Sequence, residues 1–170
     1  MTGHLRSISM AVLALILIPV SLRAQRDSIP PATPDSAFAA LQARGLLAMG
    51  VDQYTSSHVF EALPDGGRIE LQRDVPDSAG IAQIRDHLRS IAVSFRAGDF
   101  GTPATVHDQP VPGTKVMALK RDTIRYEYSP LPKGGEVRIT SRDPEAVRAI
   151  HEFLAFQNSD HRTGPEHQHQ

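Results

Sequence analysis

Residues 56–72 read SSHVFEALPDGGRIELQ, and this stretch decides the fold. Apolar and polar side chains alternate on both sides of a Pro-Asp-Gly-Gly sequence, a pattern typical of two strands that each bury one face. The adjacent Gly66 and Gly67 supply the positive φ that a tight hairpin connection demands. We therefore predict a β-hairpin over this stretch.

The same pattern returns at an offset of 68 residues, where residues 123–140 read TIRYEYSPLPKGGEVRIT. The turn residues coincide in the two copies, and most positions that are apolar in the first copy are also apolar in the second. The matched pairs are Met49 with Met117, Thr55 with Thr123, Phe60 with Tyr128, Leu63 with Leu131, Ile69 with Val137 and Leu71 with Ile139. One position changes its chemistry, since His58 in the first copy becomes Tyr126 in the second.

A helix is predicted after each hairpin. Asp77 or Ser78 can cap the first helix, and Asp143 with Pro144 begins the second. Apolar residues at helical spacing form the buried stripes, which are Ile81, Ile84, Leu88, Ile91 and Phe95, then Val147, Ile150 and Leu154. The sequence thus predicts an α+β fold made of a duplicated ββα unit. Its most economical packing is a four-stranded antiparallel sheet with the helices on one face, related by a pseudo-twofold axis.

The predicted domain covers residues 36–162, with one copy at about 49–98 and the other at about 117–162. A short helix over 36–48, interrupted by Gly45, precedes the first copy. The segment 99–116 between the copies has no periodicity and contains three prolines, so we expect a connecting loop, a class of segment that is often functional.

The first 24 residues resemble a secretory signal peptide, with a short basic start, an apolar run from Met10 to Val20 and Ala24 as the residue before cleavage. An uncleaved anchor is the alternative, although the run is short for a membrane span. We expect a periplasmic or secreted protein with no transmembrane span after cleavage. A Pro-rich leader over 25–35 follows, and 163–170 form a polar tail.

Composition excludes several classes of function. The chain has no cysteine, which removes disulfides, thiolate metal sites and cysteine nucleophiles. A net charge of −1 and 5% aromatic residues give no basic or stacking surface, so nucleic acid is not an expected partner. The nucleotide-binding and hydrolase motifs are also missing from the sequence.

Histidines are the remaining residues with useful chemistry. Several of them fall on the apolar faces of predicted elements or in the central loop, and together they form a candidate metal site: His58, His87, His107, His151 and His161. Imidazole ligates zinc and copper, and a thioether such as that of Met49 favours Cu(I). Copper or zinc is therefore the expected cofactor of a non-catalytic binding protein. The alternative is that each histidine is a hydrogen-bonded core residue.

Two further functions stay open at this point. Phe153 and Phe156 lie off the predicted stripe of the last helix, so they either pack beneath the leader or the loop or form an exposed patch. Such a patch would serve a homodimer or an envelope protein partner. His107 beside Asp108 could act as an acid–base pair in a small hydrolase or transferase, but no nucleophile or oxyanion motif accompanies it.

The motifs MGVDQYTSSHVF at 49–60, HLRSIAVSFRAGDF at 87–100 and DPEAVRAIHEFLAFQNSDHRTG at 143–164 resemble a group of small exported bacterial proteins. The resemblance covers most of residues 46–164 and implies the same fold unit and export. Some members carry the label aspartate carbamoyltransferase. The Ser-Thr-Arg-Thr-Arg phosphate signature of that enzyme is absent from this sequence, and 170 residues leave no room for its two domains.

Overall fold

A computed structural model of the protein describes residues 34–50 and 53–163. The predicted signal peptide, most of the predicted leader and all but the first residue of the polar tail lie outside these residues. Five α-helices, four strands and two single-turn 3-10 helices make up the described part. The α-helices are α1 (Pro34–Met49), α2 (Ser78–Arg96), α3 (Gly101–His107), α4 (Thr114–Leu119) and α5 (Pro144–His161). The strands are β1 (Ser56–Leu63), β2 (Gly66–Arg73), β3 (Ile124–Leu131) and β4 (Gly134–Ser141).

The strands form one antiparallel sheet in the order β1-β2-β4-β3, which confirms the predicted fold class. Leu63 pairs with Gly66 in the first hairpin, and Leu131 pairs with Gly134 in the second, so both hairpins have the same register. The central strands meet with Ile69 opposite Val137, two residues that are themselves 68 positions apart. Strand pairing is therefore symmetric about this point, while a common origin of the two halves stays a prediction.

Both long helices pack on the same face of the sheet, as predicted. Each one crosses to the opposite half: α2 lies on β3 and β4, and α5 lies on β1 and β2. Their apolar stripes bury a core between helices and sheet in which Ile84, Val137, Ile139 and Ile150 have no exposed surface. Burial of this kind contributes roughly 25 cal/mol per Å² of apolar surface and is the main stabilising term of the fold.

The glycine pairs serve close packing more than turn geometry. Pro64 and Asp65 make the turn itself, and β2 already begins at Gly66. A Cβ on Gly66 would lie 2.2 Å from the Ile139 carbonyl oxygen, and one on Gly134 would lie 1.9 Å from that of Leu71. Of the two pairs only Gly66 has a positive φ, at 143°. Glycine is thus required mainly because a neighbouring strand passes too close for any side chain.

The segment between the two hairpin units is not the loop that its sequence predicts. It contains α3, whose Pro103, Val106 and His107 are buried, and it ends in the beginning of α4. Seven residues are too few for helical periodicity to stand out, which explains the wrong prediction. In addition, α1 continues through Gly45 without interruption and packs against α3.

The buried face of α5 is also broader than predicted. Ala146, Ala149 and Phe153 lie at steps of three and four along the buried face of α5, and Phe153 is 2% exposed in the core. Phe156 is partly buried and its ring lies 4.9 Å from that of His107 on α3. The two phenylalanines therefore pack beneath the central segment, and the exposed partner patch proposed for them is wrong at Phe153.

The outer face of the sheet is polar and charged. Arg68 there makes ion pairs with Glu61 at 2.5 Å and with Glu70 and Glu136 at 3.1 Å. These groups are partly exposed, so each pair stabilises the fold by at most about 1 kcal/mol. Among the described residues, no helix has the length and apolar character that a membrane span requires.

Candidate functional site

Three of the five predicted histidines converge beneath one half of the sheet. His58 on β1, His107 on α3 and His161 on α5 are 8%, 5% and 6% exposed, respectively. The ring centroids of His58 and His161 are 5.7 Å apart, and those of His107 and His161 are 5.0 Å apart. Elements far apart in the sequence thus bring three imidazoles into one cluster, which we call the histidine cluster.

The histidine cluster borders a cavity of about 60 Å³. Its walls are mostly apolar side chains from the sheet, α2, α3 and α5, with His87 and Met49 on the side of α1 and α2. A buried water needs about 15 Å³ on this scale, so the cavity holds roughly four water-sized groups. Drug-sized ligands need several hundred Å³, and the cavity therefore suits an ion or a molecule of a few atoms.

His58 is the residue with unmet hydrogen-bonding capacity. Strand alternation turns it inward beside Phe60, and its Nε2 is buried with no hydrogen-bond partner among the described residues. Burial lowers the pKa of His58 to about 4, with a further contribution from His87, while Asp74 acts in the opposite direction. The ring is therefore neutral at neutral pH, and a neutral imidazole nitrogen that lacks a partner is a ready ligand or hydrogen-bonding group.

His161 and His87 are held neutral by the same effect. Burial lowers the pKa of His161 to about 3, with smaller contributions from the neighbouring His58 and His107. His87 sits on α2 at the edge of the cavity, and burial lowers its pKa to about 4. Three uncharged imidazoles consequently face one small volume, and protonation of any one of them is unfavourable above pH 5.

His107 has a supporting place in this arrangement. Its Nδ1 hydrogen-bonds to the carboxylate of Asp160, and its Nε2 lies 3.0 Å from Oε1 of the buried Gln157. Both ring nitrogens are engaged with α5, so His107 fixes α3 against α5 and has no nitrogen left for a ligand. Asp108, the acid–base partner predicted for it, is exposed and forms the left-handed C-cap of α3.

His151 does not join the histidine cluster. It lies outside the cavity, and its Nε2 hydrogen-bonds to the Leu63 carbonyl oxygen at 2.9 Å. His87 and His151 do not occupy equivalent places in the two halves. The helix caps at Asp77 and Asp143 instead make Phe153 the counterpart of His87, because the connection into α5 is two residues shorter than that into α2.

The same helix alignment makes Phe95 the counterpart of His161, and the strand alignment makes Tyr126 the counterpart of His58. Phe95 lies 5.8 Å from Tyr126, which is close to the 5.7 Å between the two imidazoles. One half of the fold therefore fills this place with a phenylalanine–tyrosine pair, and the other fills it with two histidines. Packing alone does not demand histidine here.

Sequence reasoning missed Gln157 and Asp160, since both are common surface residues of a helix and gave no signal of their own.

The described residues contain no group of three or more His, Asp or Glu side chains already arranged around a common point for a metal ion. Comparison of the chain with models of known families, with characterised proteins and with solved structures finds no match.

Proposed function

We propose that the protein is a non-catalytic binding protein whose small ligand, a transition-metal ion of the copper or zinc type, occupies the cavity beside the histidine cluster. The observation that carries this proposal is the buried Nε2 of His58, which has no partner among the described residues. Leaving such a group unpaired costs about 1–3 kcal/mol, and a ligand would remove that cost.

The protonation state of the site supports the same conclusion. Metal ions bind the neutral form of imidazole and compete with protons for it. Because burial lowers the pKa of His58, His87 and His161 to about 4 or below, no proton has to be displaced near neutral pH. The size of the cavity, about 60 Å³, also favours an ion over an organic molecule.

A hydrolase or transferase built on His107 and Asp108 has less support. His107 is bonded at both nitrogens to α5, and Asp108 is exposed at the end of α3. A general base needs a free nitrogen directed at the substrate, and His107 has none. The metal- or ligand-binding function is therefore the better proposal.

The test is metal retention by the full chain without an affinity tag. His167 and His169 of the tail are replaced by alanine in every sample, because they are potential weak chelators. The protein is equilibrated with Zn²⁺ or, under anaerobic reducing conditions, with Cu⁺, and is then separated from free metal by gel filtration. We expect about one equivalent of at least one ion, from the single cavity.

The matched control is the double variant His58→Phe/His161→Phe. It places two apolar rings where the other half of the fold has Tyr126 and Phe95, so it should fold and retain no metal. Circular dichroism checks its folding. The proposal fails if neither ion is retained by the parent protein, or if the folded double variant retains as much metal as the parent.

A further inference from the structure

We propose that the cavity is selective for Cu(I), bound between His58 and His161 with the Met49 thioether as third ligand. This inference rests on the proposed metal-binding function and names the ion and its ligands. Met49 lines the same cavity as the two imidazoles and packs against the core from the end of α1. Thioether and imidazole together are a donor set that selects Cu(I).

The donors that line the cavity argue against the other common ions. None of its described lining residues is Asp or Glu, and the chain has no cysteine. Structural zinc usually takes four ligands that include thiolates or carboxylates, and calcium and magnesium require several oxygens. A soft ion that accepts few neutral ligands suits a cavity whose nitrogen and sulfur donors have no Asp or Glu among the lining residues.

The charge of the ion leads to the same conclusion. Phe60, Leu71 and Phe95 contribute apolar walls and no Asp or Glu lines the cavity, so a bound cation is removed from water with no carboxylate among the lining side chains. The cost of this desolvation rises with the square of the charge, and a monovalent ion therefore pays roughly a quarter of the cost of a divalent one. Cu(I) is the monovalent ion that imidazole and thioether ligands bind well.

The spacing of the imidazoles suits a two-nitrogen site. Metal–nitrogen bonds of about 2.0 Å place the centroids of two opposed imidazoles about 6 Å apart. His58 and His161 have centroids 5.7 Å apart, so rotation of the rings without backbone movement can direct one nitrogen of each at a shared ion. Two or three ligands satisfy Cu(I), in agreement with the absence of a larger preformed group among the described residues.

The cavity shares two of its potential ligands with a polar groove. Met49 and His87 line both the cavity and a polar groove beside α2, to which Gln83, Asp86 and Ser90 contribute. They therefore stand between the surface and the buried pair. An ion entering through the groove meets Met49 and His87 first and then reaches His58 and His161.

The experiment is a competition titration of Cu(I) against the chromophoric chelator bicinchoninate, under anaerobic conditions with ascorbate, alongside a zinc titration with a fluorescent chelator. Full-length protein lacking the tail histidines is used. Met49→Leu should weaken Cu(I) binding at least about tenfold and leave zinc affinity unchanged, whereas His161→Phe should abolish Cu(I) binding. X-ray absorption of the Cu(I) form should show one sulfur and two nitrogen ligands. The Met49→Leu variant should lose the sulfur ligand.

Met117→Leu is the matched control. Met117 occupies the position equivalent to Met49 in the other half, is fully buried and does not line the cavity, so its replacement should leave Cu(I) affinity unchanged. Zinc binding that equals or exceeds Cu(I) binding and still depends on His58 overturns the selectivity but keeps the proposed function. Cu(I) binding insensitive to Met49→Leu overturns the thioether ligand, and failure to bind either ion overturns both proposals.

Discussion

His161 of α5 stacks on His58 of β1 with a centroid separation of 5.7 Å and an interplanar angle of 22°. The equivalent place in the other half holds Phe95 and Tyr126 at 5.8 Å. The two pairs have nearly the same centroid separation, although the histidines are stacked and Phe95 meets Tyr126 edge to face at 73°. This comparison separates what the fold requires, which is two rings, from what a ligand would require, which is two neutral nitrogen donors.

The double variant His58→Phe/His161→Phe should therefore be at least as stable as the parent protein without metal at pH 7. It removes a buried nitrogen that has no partner, and phenylalanine avoids the buried hydroxyl that Tyr126 carries without a partner in the other half. We expect the free energy of unfolding in urea to be unchanged or up to about 2 kcal/mol higher.

The reciprocal variant Tyr126→His/Phe95→His is the control for this comparison. It should be destabilised by about 3 kcal/mol or more, because Tyr126 and Phe95 belong to the buried core and the variant places two polar imidazoles there. Equal losses of stability in both double variants would contradict the idea that the histidines are kept for a ligand.

Stability should fall as the pH is lowered from about 6.5 to 4. The pKa of His58 is about 4 and that of His161 about 3 in the folded protein, and both return to about 6.5 on unfolding. The unfolded chain therefore takes up protons over this window while the folded protein does not, and unfolding becomes more favourable. Compared with its own value at pH 7, the parent should lose roughly 6 kcal/mol more than the double variant by pH 4, with about 3 kcal/mol from each of the two histidines.

Urea denaturation at pH 7, 5.5 and 4 measures this difference. Because the parent and the double variant have the same carboxylates, such as Asp65 and Asp143, whose pKa values are lowered by their hydrogen bonds to Arg138 and Lys120, the comparison isolates the two histidines. Parallel pH profiles for the parent and the double variant would show that the two histidines are not the groups responsible.

The sheet was predictable because its signal is local and repeated. Alternation in 56–63 and 66–73, together with the tight connection at Pro64 and Asp65, defines the first hairpin, and the 68-residue offset supplies the second. The inward orientation of His58 followed from the same alternation. Strand periodicity relates each residue to one face of the sheet, so the sequence alone fixes which side chains are buried.

The partners of the candidate site were less predictable, because they depend on contacts across long sequence separations. His107 meets Asp160 and Gln157 only because α3 forms and packs on α5, and a seven-residue helix has too little periodicity to be recognised. Phe153 is buried because it shares the inner face of α5 with Ala146 and Ala149, two small residues that the predicted stripe of larger side chains leaves out. Which face of a helix is buried is therefore decided by its packing against the sheet, and the stripe of large apolar residues alone does not predict it.

His107→Ala should destabilise the protein by about 2–4 kcal/mol, since it removes a buried ring and leaves Gln157 without its partner. His151→Ala provides the comparison. That side chain is half-buried and makes one hydrogen bond to Leu63, so its loss should cost about 1 kcal/mol. Thermal and urea unfolding of the two variants measure the difference, and a larger effect at His151 would contradict the assignment of His107 to the α3–α5 contact.

Gly134→Ala should be among the most damaging single substitutions in the sheet. The new Cβ would lie 1.9 Å from the Leu71 carbonyl oxygen, and relief of that contact requires β2 and β4 to separate. We expect a loss of at least about 2 kcal/mol, or failure to fold. Gly101→Ala is the matched control, because its Cβ would meet only the Asp99 carboxylate at 3.1 Å, at the exposed first residue of α3. Soluble expression and urea unfolding distinguish the two variants, and near-wild-type stability of Gly134→Ala would contradict the requirement for glycine between β2 and β4.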